Sequence, residues 1–390
     1  MLKRITLENF FSFGKSTTIE LNEAINVLVG INGSGKSNFL KAIQLLYEGI
    51  VGNGFQALLL KEWGGFQSIV NCSLGEKDFI KLTYEFDVSS LRKIFNSLRF
   101  PFFNNPIYTL IIRKSGTTNY YIEESVNAPE QEFQVLIQNG SIWGQEKSLI
   151  EQENFSGQES IFQQISDPER YAEMFVLKKA IEQIATYNYF DTTPNSKIRQ
   201  PNVFTNEERL SWNGDNLISI LNKLKNHHAL DYEKIETYIK KVNPHFKDIN
   251  FDFLGPNAYL VLREMSLSKS IPISHISDGT LRYLLLLAIL FNPKRGRLVC
   301  LDEPEIGLHP DMIHSIVQAM KAAAHQGTQF FVATHSPLLL NDFEIEDLLI
   351  FEKDKDNQSF VNKKNAEDFE DDDYLTGLLW LNGAIGGKRW

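Results

Sequence analysis

A chain of 390 residues, 43% of them hydrophobic, holds two or three domains' worth of mass or one core domain carrying a large insertion. The formal charge of −10 is concentrated: 13 acidic and 4 basic residues stand between Asp342 and Asp373, which leaves the remainder close to neutral. That balance excludes a broadly basic nucleic-acid surface, though not a local patch, and the longest apolar run, Leu284 to Phe291, falls short of the ~20 residues of a membrane span.

The amino terminus, MLKRITLENFFSFGK, has no signal-peptide h-region, so a soluble cytoplasmic protein is expected. Residues 1 to 30 read as three short strands, KRITLENF, STTIEL and INVLVG, the third a continuous apolar run of the kind that lies buried in the middle of a sheet. GINGSGKS follows, and then a helix in which Phe39, Ile43, Leu46 and Ile50 recur at helical spacing. Further strands are expected at Ile69–Leu74 and Ile80–Val88, and a hairpin turning at Ser115-Gly116. Cys72 and Cys300 both sit in strand-like runs and read as small core hydrophobes in a reducing compartment. The Gln- and Asn-rich stretch 128–166 gives no clear pattern. Helices are expected over Pro168–Thr186, Gly214–Asn226 and Tyr232–Val242. Beyond the strand AYLVLRE comes SHISDGTLRYLLLLAIL, a small polar turn running into a helix apolar on nearly every side. The strand ending in Asp302-Glu303, a helix over Asp311–Ala324, the strand TQFFVATHSP and the strand DLLIFEK complete the alternation of a parallel α/β sheet. EDFEDDD reads as a solvated acidic segment, with partner docking as the alternative. No heptad persists and there are no internal repeats.

Gly30-Ile-Asn-Gly-Ser-Gly-Lys-Ser37 fits the phosphate-binding pattern G-x-x-x-x-G-K-[ST] between a buried strand and a helix. Its glycines let successive N–H groups turn toward phosphate oxygens, the helix end adds partial positive charge, and Lys36 supplies full charge. Gly30, Asn32, Gly33, Ser34, Gly35, Lys36, Ser37 and Asn38 are therefore the expected nucleotide contacts, for ATP, with Ser37 a Mg²⁺ ligand. Asp302, at the end of RLVCL, can hold the same Mg²⁺, and Glu303 would orient or deprotonate the attacking water, because phosphoryl transfer rests on positioning. Glu305 is a second carboxylate nearby. His335 closes a strand one helix after Asp302, where an adjacent parallel strand would bring it beside the γ-phosphate.

The order of cradle, insertion, Ser-x-Gly turn with helix, Asp-Glu strand and strand with His resembles the ABC-type ATPases, in their SMC, RecF and OLD-like branch. The resemblance covers roughly 1–90 and 255–350, and more loosely NGDNLISILNKLKN and LLWLNGAIGG. It implies an α/β P-loop head with a mostly parallel central sheet and an antiparallel amino-terminal β subdomain. The head would be divided as 1–90 and 256–350 around a mixed, mainly helical insertion, 91–255, with a tail at 351–390. It also implies that Ser277, Asp278 and Gly279 form a signature turn completing the ATP site of a second subunit. The transporter form is Leu-Ser-Gly-Gly-Gln, whereas here Ile276-Ser277-Asp278-Gly279-Thr280 puts a carboxylate near phosphate unless it turns away. By the same resemblance Gln67 is a candidate lobe-joining Mg²⁺ ligand, and EIGLHP stands where the paired sites communicate, with His309 structural. Expected partners are a second copy in a homodimer or higher even-numbered assembly and a separate nuclease or other effector, with DNA possible. The role would be antiviral defence, or alternatively DNA repair by direct action on DNA. The chain after His335 leaves too little room for the Toprim nuclease domain of longer OLD proteins, so ATP hydrolysis without intrinsic nuclease activity is expected.

Overall fold

The computed structural model describes the chain except for residues 74, 96–99, 117–118, 129–132, 139–140, 144–148, 153–154, 370–374 and 387–390. It divides into two compact units: Met1–Ile184 with Leu348–Lys364 and residues from Ile385, and Ala185–Asp347 with Asn365–Ala384.

In the first unit the alternating strands form one antiparallel sheet of eight. Leu2–Glu8 lies between Thr17–Glu20 and Phe79–Phe86, and the latter pairs with the hairpin Ile107–Ser115/Asn119–Ala128. Phe133–Gln138, Ser141–Trp143 and Leu149–Gln152 extend it. The unplaced stretch thus contributes strands to the amino-terminal sheet, and the unit boundaries do not fall at 90 and 255. The apolar run Ile25–Val29 is buried at every position, as its sequence requires, and pairs in parallel with Leu348–Lys353, which pairs antiparallel with Ser359–Asn362. The helix Lys36–Ile50 follows, burying Phe39, Ile43, Leu46 and Ile50. The Tyr84 hydroxyl donates to the carbonyl of Ala42 at 2.7 Å, which fixes this helix on the antiparallel sheet, and burial pushes the phenol's pKa up.

In the second unit Leu298–Asp302 and Gln329–Ala333 are parallel, with Asp302 opposite Ala333. Their connecting helix, Pro310–His325, packs on the helix Asp278–Leu290. All residues from Tyr283 to Leu290 are buried. At about 1.5–3 kcal/mol per large apolar side chain, this helix is a main support of the unit's core. The helices Leu217–His227 and Ala229–Val242 pack against it as well, and a small antiparallel sheet is made by Phe246–Leu254, Asn257–Glu264 and Ile271–Pro272.

Local expectations fail where chemistry was ambiguous. Over residues 69–73 the expected strand is absent, and Leu74 lies outside the described residues: Phe66–Ile69 is a short helix, Val70 makes one isolated bridge to Phe10, and Cys72 is exposed rather than core. Pro168–Thr186 shortens to a helix Ala172–Ile181 followed by the strand Ile184–Tyr187. The segment 351–390 is more than a tail, for it holds the strand Ser359–Asn362 and the helix Thr376–Leu381. Of EDFEDDD, Glu370 to Asp373 lie outside the described residues. No helix among the described residues is long and apolar enough to cross a membrane.

Candidate functional site

The loop after Ile25–Val29 curls because three glycines take positive φ: Gly30 at 158°, Gly33 at 79° and Gly35 at 116°. A Cβ on Gly35 would stand 2.5 Å from Ser359 Oγ, and one on Gly33 would meet nothing within 4 Å, so one glycine is needed for close approach and the other for an open conformation. Gly35 is the N-cap of Lys36–Ile50 and offers no side-chain cap, and no acid stands in the first turn. The amino end therefore keeps its orphan N–H groups and its partial positive charge for an incoming anion. Lys36 is buried and lays its ammonium across the loop, donating to the carbonyls of Gly30 at 2.7 Å and Ile31 at 3.3 Å. Ser34 Oγ is buried without a hydrogen-bond partner, while Ser37 is exposed. These are the features of a phosphate cradle.

Two supports were not legible beforehand. Ser359 Oγ donates to the Ser34 carbonyl at 2.6 Å and lies 2.7 Å from Ser12 Oγ, and Asn38 Nδ2 donates to Ser12 Oγ at 2.8 Å. Asn38 thus serves the loop's frame. Serines distant in sequence carry no motif, and Ser359 reaches the loop because Ser359–Asn362 pairs with Leu348–Lys353, the neighbour of the cradle strand. Gln67 is exposed in the helix Phe66–Ile69, whose end is tied to the residue 9–11 turn by Phe11 N–H donating to the Ile69 carbonyl at 2.7 Å.

The second unit gathers the other predicted residues. Glu303 leaves the strand end with φ of 49°, a left-handed conformation that a glutamate adopts only at a cost in strain, and its N–H donates to the Ala333 carbonyl at 2.8 Å. This bend holds the carboxylate 3.7 Å from His335 Nε2, so Glu303 and His335 form one constellation at adjacent strand ends. Glu305 Oε1 accepts from Thr334 Oγ1 at 2.5 Å and from the His335 N–H at 3.4 Å. Burial raises its pKa, with the Thr334 bond opposing. Glu305 therefore braces the histidine turn. His309 caps Pro310–His325 by accepting from the Asp311 N–H, in agreement with a structural role. Asp302 and Glu303 line a cleft with Tyr187, Tyr189, Phe190 and Arg282. Among the described residues no group of three or more His, Cys, Asp or Glu is arranged as a metal site. Mg²⁺ commonly takes only one or two protein oxygens beside phosphate, and Ser37, exposed in the first turn of Lys36–Ile50, offers one such oxygen at the cradle.

Ser277 caps the long apolar helix: its Oγ accepts from the Thr280 N–H at 3.2 Å and lies 2.7 Å from Thr280 Oγ1. Asp278 does not cap; its carboxylate accepts from Arg199 Nη2 at 2.6 Å. Gly279 must be glycine because a Cβ there would stand 2.6 Å from the Gly307 carbonyl oxygen, which brings the signature turn against EIGLHP.

An uncapped phosphate cradle and, in the other unit, a strand-end carboxylate pair with histidine define a P-loop ATPase head. The family described as "AAA domain, putative AbiEii toxin, Type IV TA system" matches residues 25–341, and the chain belongs to that family. It is similar to the Old nuclease of Escherichia phage P2, 26% identical over 42% of this chain and 29% of that protein. It is also similar to an ATP/GTP phosphatase of Helicobacter pylori, 21% identical over 92% and 91% of the two chains. The chain thus spans less than a third of the nuclease but nearly all of the phosphatase. In fold it resembles an Smc head bound to the C-winged helix domain of ScpA, with TM-score 0.56 and 15% identity over 94% of this chain and 99% of that one. An Smc head with extended coiled coil, bound to the C-terminal domain of ScpA derived from Pyrococcus furiosus, matches at TM-score 0.56 and 11% identity over 94% and 97%. The protein is an SMC/OLD-like ABC-type ATPase.

Proposed function

We propose that the protein hydrolyses ATP as a switch: two heads pair around two ATP molecules and, by closing and opening, gate a separate effector, a nuclease acting in antiviral defence. The observation that carries the pairing is the exposed polar tip, Ser277 and Asp278, leading into a helix buried at every position from Tyr283 to Leu290. Capping accounts for Ser277 within its own helix, and an exposed hydroxyl beside a glycine is also what a second subunit's γ-phosphate would require. Lys36 and the uncapped helix end would hold the phosphates, and Ser37 and Asp302 would be oxygen ligands to Mg²⁺, with Gln67 a further candidate. When bound, Mg²⁺ supplies charge neutralisation at the phosphates. Glu303 would accept a proton from the attacking water, and His335 would hold Glu303 in place while contacting the γ-phosphate.

The relatives' names support a division of labour. The matched part is under a third of a nuclease, and Smc heads of this fold have been captured with a protein partner. DNA repair by direct action on DNA is the second reading; the chain is 27% identical to a "Structural maintenance of chromosomes protein 3 homolog" of Plasmodium falciparum over 31% of this chain and 10% of that protein, a name that concerns chromosomes.

The test is the solution mass of Glu303→Gln with and without ATP and Mg²⁺. Doubling on ATP that is abolished by adding Ser277→Arg supports the paired heads. A monomer that never responds to ATP, although it binds the nucleotide, overturns them.

A further inference from the structure

The turn that carries Ser277 is held by a residue outside every motif. The Arg199 side chain is 4% exposed, whereas that of Asp278 is 63% exposed. Nε of Arg199 donates to the Thr192 carbonyl at 2.8 Å, Nη1 to the carbonyls of Ile273 and Ile276 at 2.7 Å each, and Nη2 to Asp278 Oδ1 at 2.6 Å. A buried guanidinium is costly unless its donors are met, and its rigid fork dictates where the acceptors lie. Here two acceptors are the carbonyls bracketing the 3₁₀ turn Ile273–His275 that leads into Ser277, and a third is the carboxylate that would otherwise face phosphate.

A second arginine shares the anchor. Arg282, one turn along the same helix, donates from Nε to Thr192 Oγ1 at 3.3 Å and from Nη1 to the Ile306 carbonyl at 2.9 Å. Buried Thr192 therefore joins the segment before the signature turn to the loop following Asp302-Glu303, the loop against which Gly279 also packs.

We propose that Arg199 is the positioning residue of the signature turn, fixing the backbone ahead of Ser277 and neutralising Asp278 so that the turn accepts the phosphate of ATP on a second copy of this chain. The proposal rests on the paired-head reading. It explains how this chain carries aspartate where the transporter form has glycine: the guanidinium supplies the compensating charge from within the same unit.

The experiment compares full-length Lys36→Ala, Ser277→Arg, Arg199→Met and Arg199→Lys, each alone and in equal mixtures. Each variant alone is expected to lose ATPase rate, the Arg199 variants by about 10- to 100-fold, the scale of a misplaced contact. Binding of a fluorescent ATP analogue to the Arg199 variants should stay within about twofold, since their own cradle is intact. Mixed with Lys36→Ala, an Arg199 variant supplies a sound cradle and receives a sound signature turn, so activity should return to about a quarter of wild type for random pairing of a two-fold dimer. A purely structural loss would not be repaired by mixing. Arg199→Lys keeps a cation and a long stem and serves where Arg199→Met fails to fold. The proposal is overturned if both Arg199 variants retain wild-type rates, or if mixing restores Ser277→Arg with Lys36→Ala but not Arg199→Lys. If neither mixture recovers, the paired-head reading fails and takes this proposal with it.

Discussion

Two helix amino ends in this molecule, both proposed to meet phosphate, are prepared in opposite ways. Lys36–Ile50 begins with a glycine in the left-handed region, no side-chain cap and no acid in its first turn. Asp278–Leu290 begins with a serine whose hydroxyl already accepts from the Thr280 N–H, and with an acid directly after it. The first end has orphan donors and is electropositive, so it can recruit an anion alone. The second is already capped, and its acid is paired with Arg199, so it has fewer orphan donors to attract phosphate by itself. An amino end of that kind can complete a site but cannot found one. On the paired-head proposal, the contrast separates a binding element from a sensing element within one chain.

The largest effect on ATP affinity should come from the founding end. Lys36→Ala removes the buried ammonium that spans the loop; with charge-assisted hydrogen bonds worth ~1.5–3 kcal/mol each, ATP affinity should fall about 10- to 100-fold or more. Calorimetric titration measures this, and undiminished affinity would break the comparison outright. Ser277→Ala should leave that affinity unchanged in monomeric protein while lowering the ATPase rate, and a loss of monomer affinity would mean that the second end also founds binding. Next is Glu303→Gln, whose hydrolysis should drop by about 10²- to 10³-fold, within the range of general-base loss, with binding retained.

How much of this was legible beforehand follows from how local each feature is. The cradle was readable because its glycines, lysine and serine are consecutive and flanked by a buried strand and a helix. Asp302, Glu303 and His335 were readable because strand ends in a parallel α/β alternation converge. The Asp278 difficulty was visible too, but not its resolution. Arg199 lies in SKIRQP, with no periodicity or motif, and gains its meaning only when the chain folds back on Ile273 and Ile276. The sheet strands beyond residue 128 were hidden for another reason: FQVLIQ, SIW and LIEQ are short pieces whose apolar residues run together instead of alternating with polar ones. Ile69–Leu74 misled in the opposite sense, since a short apolar run fits a helix end as readily as a strand.

A smaller effect sharpens the role of the second end. Gly279→Ala would drive a methyl group to 2.6 Å from the backbone oxygen of Gly307, and backbone does not yield cheaply. Forced overpacking costs about 1–3 kcal/mol, so a melting temperature lowered by a few degrees is expected, with ATP binding by the monomer preserved and ATP-dependent pairing lost. Retained pairing would show that the turn tolerates displacement and that its close packing on EIGLHP does not matter.

The smallest effect is one of pH, and it concerns the brace behind His335. Burial raises the pKa of Glu305 above the ordinary carboxylate value, because the charged form gives up hydration that the Thr334 and His335 donors only partly replace. A carboxyl group whose pKa is higher folded than unfolded binds more protons in the native state. Its stabilising contribution is therefore full below the unfolded pKa and declines as pH rises through the folded value. Glu305→Gln does not titrate, so the thermal stability of the variant relative to wild type should improve as pH rises from 4 toward 8. Glutamine can still accept from Thr334 through its oxygen, which keeps the histidine turn in place at both ends of the range. A stability difference flat across that range would show that Glu305 ionises as easily in the fold as out of it, and the brace would then be an ordinary solvated carboxylate.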